Sequence, residues 1–291
     1  MSEKSFDRAA EDLGNIVNLG HVNVTQPDQR LATAYYVSAL GLTRDPYLLT
    51  GTNNMWVNVG MSQFHLPTRE PQVLRGIVGL VLPDREALLA RLAKAREELD
   101  GTRFDFRETN DAVETTCPWG NRIHCHAPDP ARFGRMALGM AYVAFDVPPG
   151  AAAGIARFYG EVFGAPAEVV SREGAPAARV PVGESQDLYF RETEEPQRDD
   201  EGEHIQFYIA DFSGPYRRLT EMGLVYQESN RHQYRFRDIV DPDSGTRAFP
   251  LDHEVRSLRH PMYGRPLVNR NPNLSLRDYD PGRESVHWAS G

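Results

Sequence analysis

Three histidines stand inside short alternating runs, and those runs are where chemistry would come from. His21 lies in residues 20–27 (GHVNVTQP), His65 in residues 63–67 (QFHLP), and His124 in the run that follows Pro118. Residues two apart on a strand share a face, so Asn23 accompanies His21, Gln63 accompanies His65, and Arg122 and His126 flank His124. Neutral imidazoles converging on one cavity suit zinc, iron, copper or nickel, whereas a lone strand histidine is ordinarily a satisfied core residue. On those faces Asn23, Gln63 or His126 could orient a ligand or the groups that support it, and Arg122 could hold a carboxylate or phosphate. Glu108 and Glu114 are the nearest acids to His124 that could serve as bases, although a strand carboxylate usually faces solvent. Cys117 and Cys125 lack a C-x-x-C spacing, so neither a zinc knuckle nor a disulfide scaffold is indicated, and Cys125 should point away from its histidine neighbours. No residue is assigned a catalytic role from its position alone.

The elements that must carry these side chains repeat. Residues 20–27 read as a strand and lead into residues 31–42 (LATAYYVSALGL), which have helical apolar spacing closed by Gly41. Residues 141–148 (AYVAFDVP) lead in the same way into residues 151–164 (AAAGIARFYGEVFG). Tyr35-Tyr36 with Leu40-Gly41 matches Phe158-Tyr159 with Phe163-Gly164 at a constant offset of 123. Each half holds a further strand and helix: residues 76–83 before 85–99, and residues 204–211 before 216–224. Short strand-like runs follow each helix, at 47–50, 55–60 and 63–67 in the first unit, so the chain reads as four β-α-β-β-β units.

Composition narrows the classes. The 291 residues, 40% hydrophobic and 25% charged, suffice for two globular domains. A net charge of −9 disfavours the broad phosphate neutralisation of nucleic-acid binding. No apolar run approaches the roughly 20 residues of a membrane helix, and the first residues (MSEKSFDRAAEDLGN) have no signal-like apolar segment. A cytoplasmic protein is expected, with a small-molecule substrate, no nucleic acid, no membrane, and homo-oligomerisation left open. Residues 192–203 (ETEEPQRDDEGE) read as a solvated loop. Beyond Leu251 the periodicity fades into a Pro-, Asn- and Arg-rich tail carrying Arg256, Arg259, Arg265 and Arg270, which reads as an extended arm.

Over residues 17–252 the sequence resembles the vicinal oxygen chelate superfamily, which includes glyoxalase I, the extradiol dioxygenases and the bleomycin-resistance proteins. The GHVNV strand before an aromatic helix ending LGL carries the resemblance, with residues 118–124 (PWGNRIH) similar to the family's Asp-Pro-x-Gly-Asn-x-Ile-Glu hairpin and a second copy at 241–249 (DPDSGTRAF). The resemblance implies an α+β fold of two tandem barrels, each made from two β-α-β-β-β modules. Sequential assembly would give barrels at residues 15–130 and 138–252 and a tail at 253–291.

In metal-dependent members the ligands come from the first and last strands of the modules. That implies His21, His65 and His124 as ligands of a divalent ion, Fe(II) or Zn(II), with Ile77 at the fourth position, and Asn23, Gln63, Arg122 and His126 about the substrate. The same count over the second half reaches Tyr142, Tyr189, His204 and Phe249, a set too poor in donors to hold an ion. Trp56, Trp119 and Met55 are aromatic or apolar wall residues for either a cavity or a packed barrel. The implied function is a metal-dependent enzyme on a small oxygen-bearing organic substrate, dioxygenase-like or isomerase/lyase-like. The alternative is a metal-free small-molecule-binding protein of the bleomycin-resistance type.

Overall fold

Alternation of apolar and polar residues sorts the side chains of each strand onto two faces, and the apolar faces share one core. The computed structural model describes residues 6–48 and 53–265. The four repeats are four β-α-β-β-β modules. The first holds β1 (Ile16–Asn23), β2 (Thr43–Arg44), β3 (Asn54–Val59) and β4 (Ser62–Pro67); the second holds β5 (Gly76–Val81), β6 (Asp105–Glu108), β7 (Val113–Thr116) and β8 (Arg122–His126). The third holds β9 (Gly139–Val147), β10 (Glu168–Arg172), β11 (Ala175–Gly183) and β12 (Gln186–Glu192), and the fourth β13 (His204–Ile209), β14 (Val225–Asn230), β15 (Gln233–Val240) and β16 (Arg247–Ser257). Helices follow the first strands, with Asp28 and Asp84 capping two of them by accepting backbone N–H groups of the first turn.

The modules form two eight-stranded sheets, β14-β15-β16-β13-β1-β4-β3-β2 and β10-β11-β12-β9-β5-β8-β7-β6. Two tandem barrels of the expected α+β class result, but the first barrel joins modules one and four and the second joins modules two and three. This corrects the sequential barrels at 15–130 and 138–252. Each pairing runs through the modules' first strands: β1 lies antiparallel to β13, with Asn23 opposite His204, and β5 antiparallel to β9, with Gly79 opposite Tyr142. A repeat period fixes where each first strand begins and is silent about which other first strand it pairs with.

Module one is joined to module two, and module three to module four, through their helices. The helix Arg85–Ala95 packs on the first module's helical stretch ending at Ala39, and Ala151–Phe163 packs on Ser213–Glu221. The core is consequently continuous across both barrels, running from Ile16, Tyr35 and Phe64 through Leu88 and Ile123 to Phe163, Phe207 and Phe236. His253 belongs to this core. It stacks on Phe236 with centroids 4.2 Å apart, accepts a hydrogen bond from the Tyr159 hydroxyl (2.6 Å), and lies 2.7 Å through Nδ1 from the Leu251 carbonyl.

Two further expectations are refined. β16 runs to Ser257, so the arm expected from residue 253 starts later; residues 266–291, with Arg270, lie outside the described residues. The acidic loop is exposed along residues 195–201, yet its last residue, Glu203, is fully buried against Arg75. Among the described residues no helix is long and apolar enough to cross a membrane.

Candidate metal centre

Strand β1 contains an irregularity between Leu19 and His21. Its core residues are Ile16, Leu19 and Val22, three apart, and His21 and Asn23 fall together on the polar face. On β4 the phase is regular: Phe64 and Leu66 enter the core while Gln63 and His65 face the other way. On β13 Ile205, Phe207 and Ile209 are core, leaving His204, Gln206 and Tyr208 on the polar face, and on β16 Leu251 and Val255 leave Asp252, Glu254 and Arg256 there. The ladder sets His21 beside Gln63 and Gln206, and Gln206 beside Glu254.

One imidazole nitrogen from each of His21, His65 and His204 lies within 4.8 Å of the others. The Nε2 atoms of His21 and His204 are 3.3 Å apart. Trp56 stacks on the His65 ring at 3.8 Å and meets His21 edge-on at 5.0 Å, so both rings are braced by one indole. Glu254 Oε2 is 3.8 Å from His204 Nε2. Two guanidinium groups hold that carboxylate: Arg235 pairs with Oε2, and Arg256 Nη2 lies 2.6 Å from Oε1. Arg235 also reaches Asp252 (3.2 Å) and His204 Nε2 (3.3 Å), while Asp252 accepts from the Tyr226 hydroxyl (2.8 Å).

Burial lowers the pKa of all three histidines, with cationic neighbours adding to it. After burial, His21 feels Arg256 first, His204 feels Arg235 first, and His65, exposed to Arg256 and Arg235, is brought down to about 3. The rings are therefore neutral and keep lone pairs for a ligand. Two observations test whether the residues suit a divalent ion. His65 Nε2 is buried without a hydrogen-bond partner, and so are both amide atoms of Gln206. Three neutral imidazoles with a carboxylate beside them fit such an ion, and the orphaned polar atoms match a centre built to face one with its bound oxygens.

Depressed histidines also predict an acid limit on stability. For a group whose folded pKa lies below the unfolded value near 6.5, the unfolded chain binds more protons between the two values. Stability is then constant above pH 6.5 and lost as pH falls toward about 3, the value for His65 and for His253. Each such histidine adds a slope of about 1.4 kcal/mol per pH unit inside that window. Urea midpoints of the metal-free protein should be level from pH 7 to 8 and fall steeply below 6.5; midpoints that stay level down to pH 5 would contradict this.

The remaining expected residues are distributed as follows. Asn23 stands opposite His204 with its Oδ1 buried and unpartnered, so it stays with the centre. Gln63 is committed elsewhere: its amide donates to Asp45 (2.7 Å) and Asn58 (2.6 Å), and Asp45 is also paired with Arg265. His124, Arg122 and His126 lie on β8, in the other sheet, and this corrects their assignment to one site with His21 and His65. There His124 faces Glu114, which pairs with Arg107, and Arg122 pairs with Asp146, beside a cavity of about 520 Å³. His126 Nε2 is 2.9 Å from the hydroxyl of Tyr142, whose pKa burial pushes up to about 12. The Tyr142 ring covers Gly79 so closely that a Cβ there would sit 2.1 Å from it, and Arg172 lies over both Tyr142 and Tyr189. Tyrosine and arginine thus fill the second barrel where donors would stand.

The other side chains have settled roles. Phe249 is core, Glu108 pairs with Arg85, Met55 is core, and Trp119 packs against the core cluster. Both cysteines are buried thiols, Cys125 being pushed up to about 12 by burial. The period of two that grouped His21 with Asn23 also extends His204 to Gln206, so Gln206 was within reach of the pattern. Gly20 makes room for it, since a Cβ there would meet Gln206 Oε1 at 1.9 Å.

No family model matches the chain, and no curated protein matches it in sequence. Among solved structures the fold is similar to that of a candidate dioxygenase from Bacillus subtilis, 16% identical over 85% of this chain and 86% of that one, with a TM-score of 0.55. It is also similar to glyoxalase I from Zea mays, 10% identical over 82% of this chain and 92% of that one, with a TM-score of 0.54. The chain has the vicinal oxygen chelate fold in its two-barrel form. Within that fold, the barrel made from the first and last modules is the one that gathers histidines.

Proposed function

We propose that the chain is a cytoplasmic metal-dependent enzyme in which His21, His65 and His204, with Glu254, hold one divalent ion, Fe(II) or Zn(II). Its substrate is a small organic molecule with oxygens on neighbouring carbons. The carrying observation is the convergence of three neutral imidazoles from β1, β4 and β13, one of them buried with an unpartnered Nε2. A divalent ion held there supplies Lewis-acid polarisation of the substrate oxygens. The chain does the rest: Trp56 fixes two of the rings, the free amide of Gln206 can hydrogen-bond a substrate oxygen, and Asp252 is the carboxylate beside the centre that can take up a proton. Proton transfer of the isomerase or lyase kind uses these groups directly, and it is the reading they favour over oxygen chemistry.

A second reading rests on Arg235. Its guanidinium nitrogen approaches His204 Nε2 at 3.3 Å and pairs with Glu254, so the centre carries an internal cation. A metal-free protein that sequesters a small ligand follows from that arrangement. Metal content of protein purified without added ions separates the two: about one equivalent of a transition metal is expected, and stoichiometric absence together with a tightly held organic ligand would establish the second reading.

A further inference from the structure

We infer that the ligand of this centre is a small anion, a carboxylate with a second oxygen on the adjacent carbon, and that Arg235 recognises its charge. The inference rests on the metal reading above and adds the substrate class. Four ionised side chains stand together on the polar face of the first barrel: Arg235, Arg256, Asp252 and Glu254. They cancel, and the imidazoles beside them are neutral, so a divalent ion leaves the site with two uncompensated positive charges in a chain of net charge −9.

Arg256 has other partners to fall back on, since its Nε donates to Gln233 (3.0 Å) and its Nη1 to the Tyr208 hydroxyl (3.4 Å). Arg235 differs in where it points. Once Glu254 turns to a metal, Arg235 keeps Asp252 and the Tyr226 hydroxyl, which also bond each other, but its Nη2 is aimed at the three-histidine centre. A guanidinium left mostly buried beside a dication is strongly unfavourable unless an anion joins it. Because that nitrogen is already 3.3 Å from His204 Nε2, the negative charge must lie in the layer of atoms that touches the metal, on one of the chelating oxygens themselves. A carboxylate oxygen paired with the oxygen of the next carbon meets that condition. A diketone does not, nor does a diol that keeps both its protons. Arg237, two residues along the same face of β15 and exposed, adds positive charge on the solvent side.

The test compares oxalate with oxamide, its uncharged isostere, by calorimetry on the full Zn(II)-loaded chain. Oxalate should bind the unaltered protein at least tenfold more tightly than it binds Arg235→Gln, with Arg235→Lys between the two, while oxamide should not distinguish them. Zn(II) affinity, titrated first, should be equal or higher in Arg235→Gln, because a competitor for Glu254 has been removed. Equal oxalate binding by the unaltered protein and Arg235→Gln, with Zn(II) bound in both, overturns the anion inference alone. Failure of the unaltered protein to take up Zn(II) overturns the metal reading and this inference with it.

Discussion

His204→Ala should empty the centre of metal, and His124→Ala should leave it filled. His204 supplies the third nitrogen of the converging group, from a strand that begins more than 180 residues after His21, whereas His124 stands in the other sheet facing Glu114. Partners that merely orient a ligand typically cost about 10–100-fold in metal affinity when removed, so losing a ligand nitrogen should cost at least about 100-fold. Bound metal also stabilises the fold, by about 4 kcal/mol when free metal is a thousandfold above its dissociation constant. A chelator should therefore lower the Tm of the unaltered protein and of His124→Ala, and have no effect on His204→Ala. Metal counted after gel filtration, alongside those melting curves, decides the matter. Retention by His204→Ala with loss from His124→Ala would place the centre in the second barrel.

The contrast between those two histidines shows what the sequence could convey. Strand and helix positions followed from local periodicity, and the four modules from their repeat; His21 and His65 fell on the right strands because β1 and β4 sit in one module and pair directly. Which modules share a barrel was not local information. It depends on whether the first strand of module one meets that of module two or of module four, and both have the same alternating pattern. Glu254 was hidden for another reason. Counting along the hairpin at 241–249 reached Phe249, but the β15–β16 ladder slips between Phe236 and Asp238 and again between Ile239 and Val240, so offsets from the turn do not measure depth along the strand. Arg235 was unreadable for a related reason: its importance comes from lying opposite Glu254 across that same ladder.

Glu203→Gln is expected to be the most destabilising single change away from the centre. Arg75 immediately precedes β5 of the second barrel and Glu203 immediately precedes β13 of the first, so their pair ties the two barrels together at the base of the strand that presents His204. Arg75 Nε donates to Glu203 Oε1 at 2.6 Å and Nη2 donates to the Pro250 carbonyl at 2.6 Å, with the guanidinium 4.4 Å over the Phe249 ring. Both side chains are almost completely shielded, at 4% and 0% exposure. Their mutual attraction offsets a desolvation cost already incurred, so the pair adds little net stability, yet removing one charge strands the other and costs about 3–5 kcal/mol. At about 2–4 °C per kcal/mol for a chain of this kind, the Tm should drop on the order of 10 °C. Asp200, 3.6 Å from Arg75, offers partial compensation and sets the loss toward the lower end. The double replacement Arg75→Met with Glu203→Leu removes both charges and should recover most of the loss, which a simple packing defect would not. Metal affinity should follow the same order, weakened in Glu203→Gln and largely restored in the double variant, because the strand carrying His204 starts at this anchor.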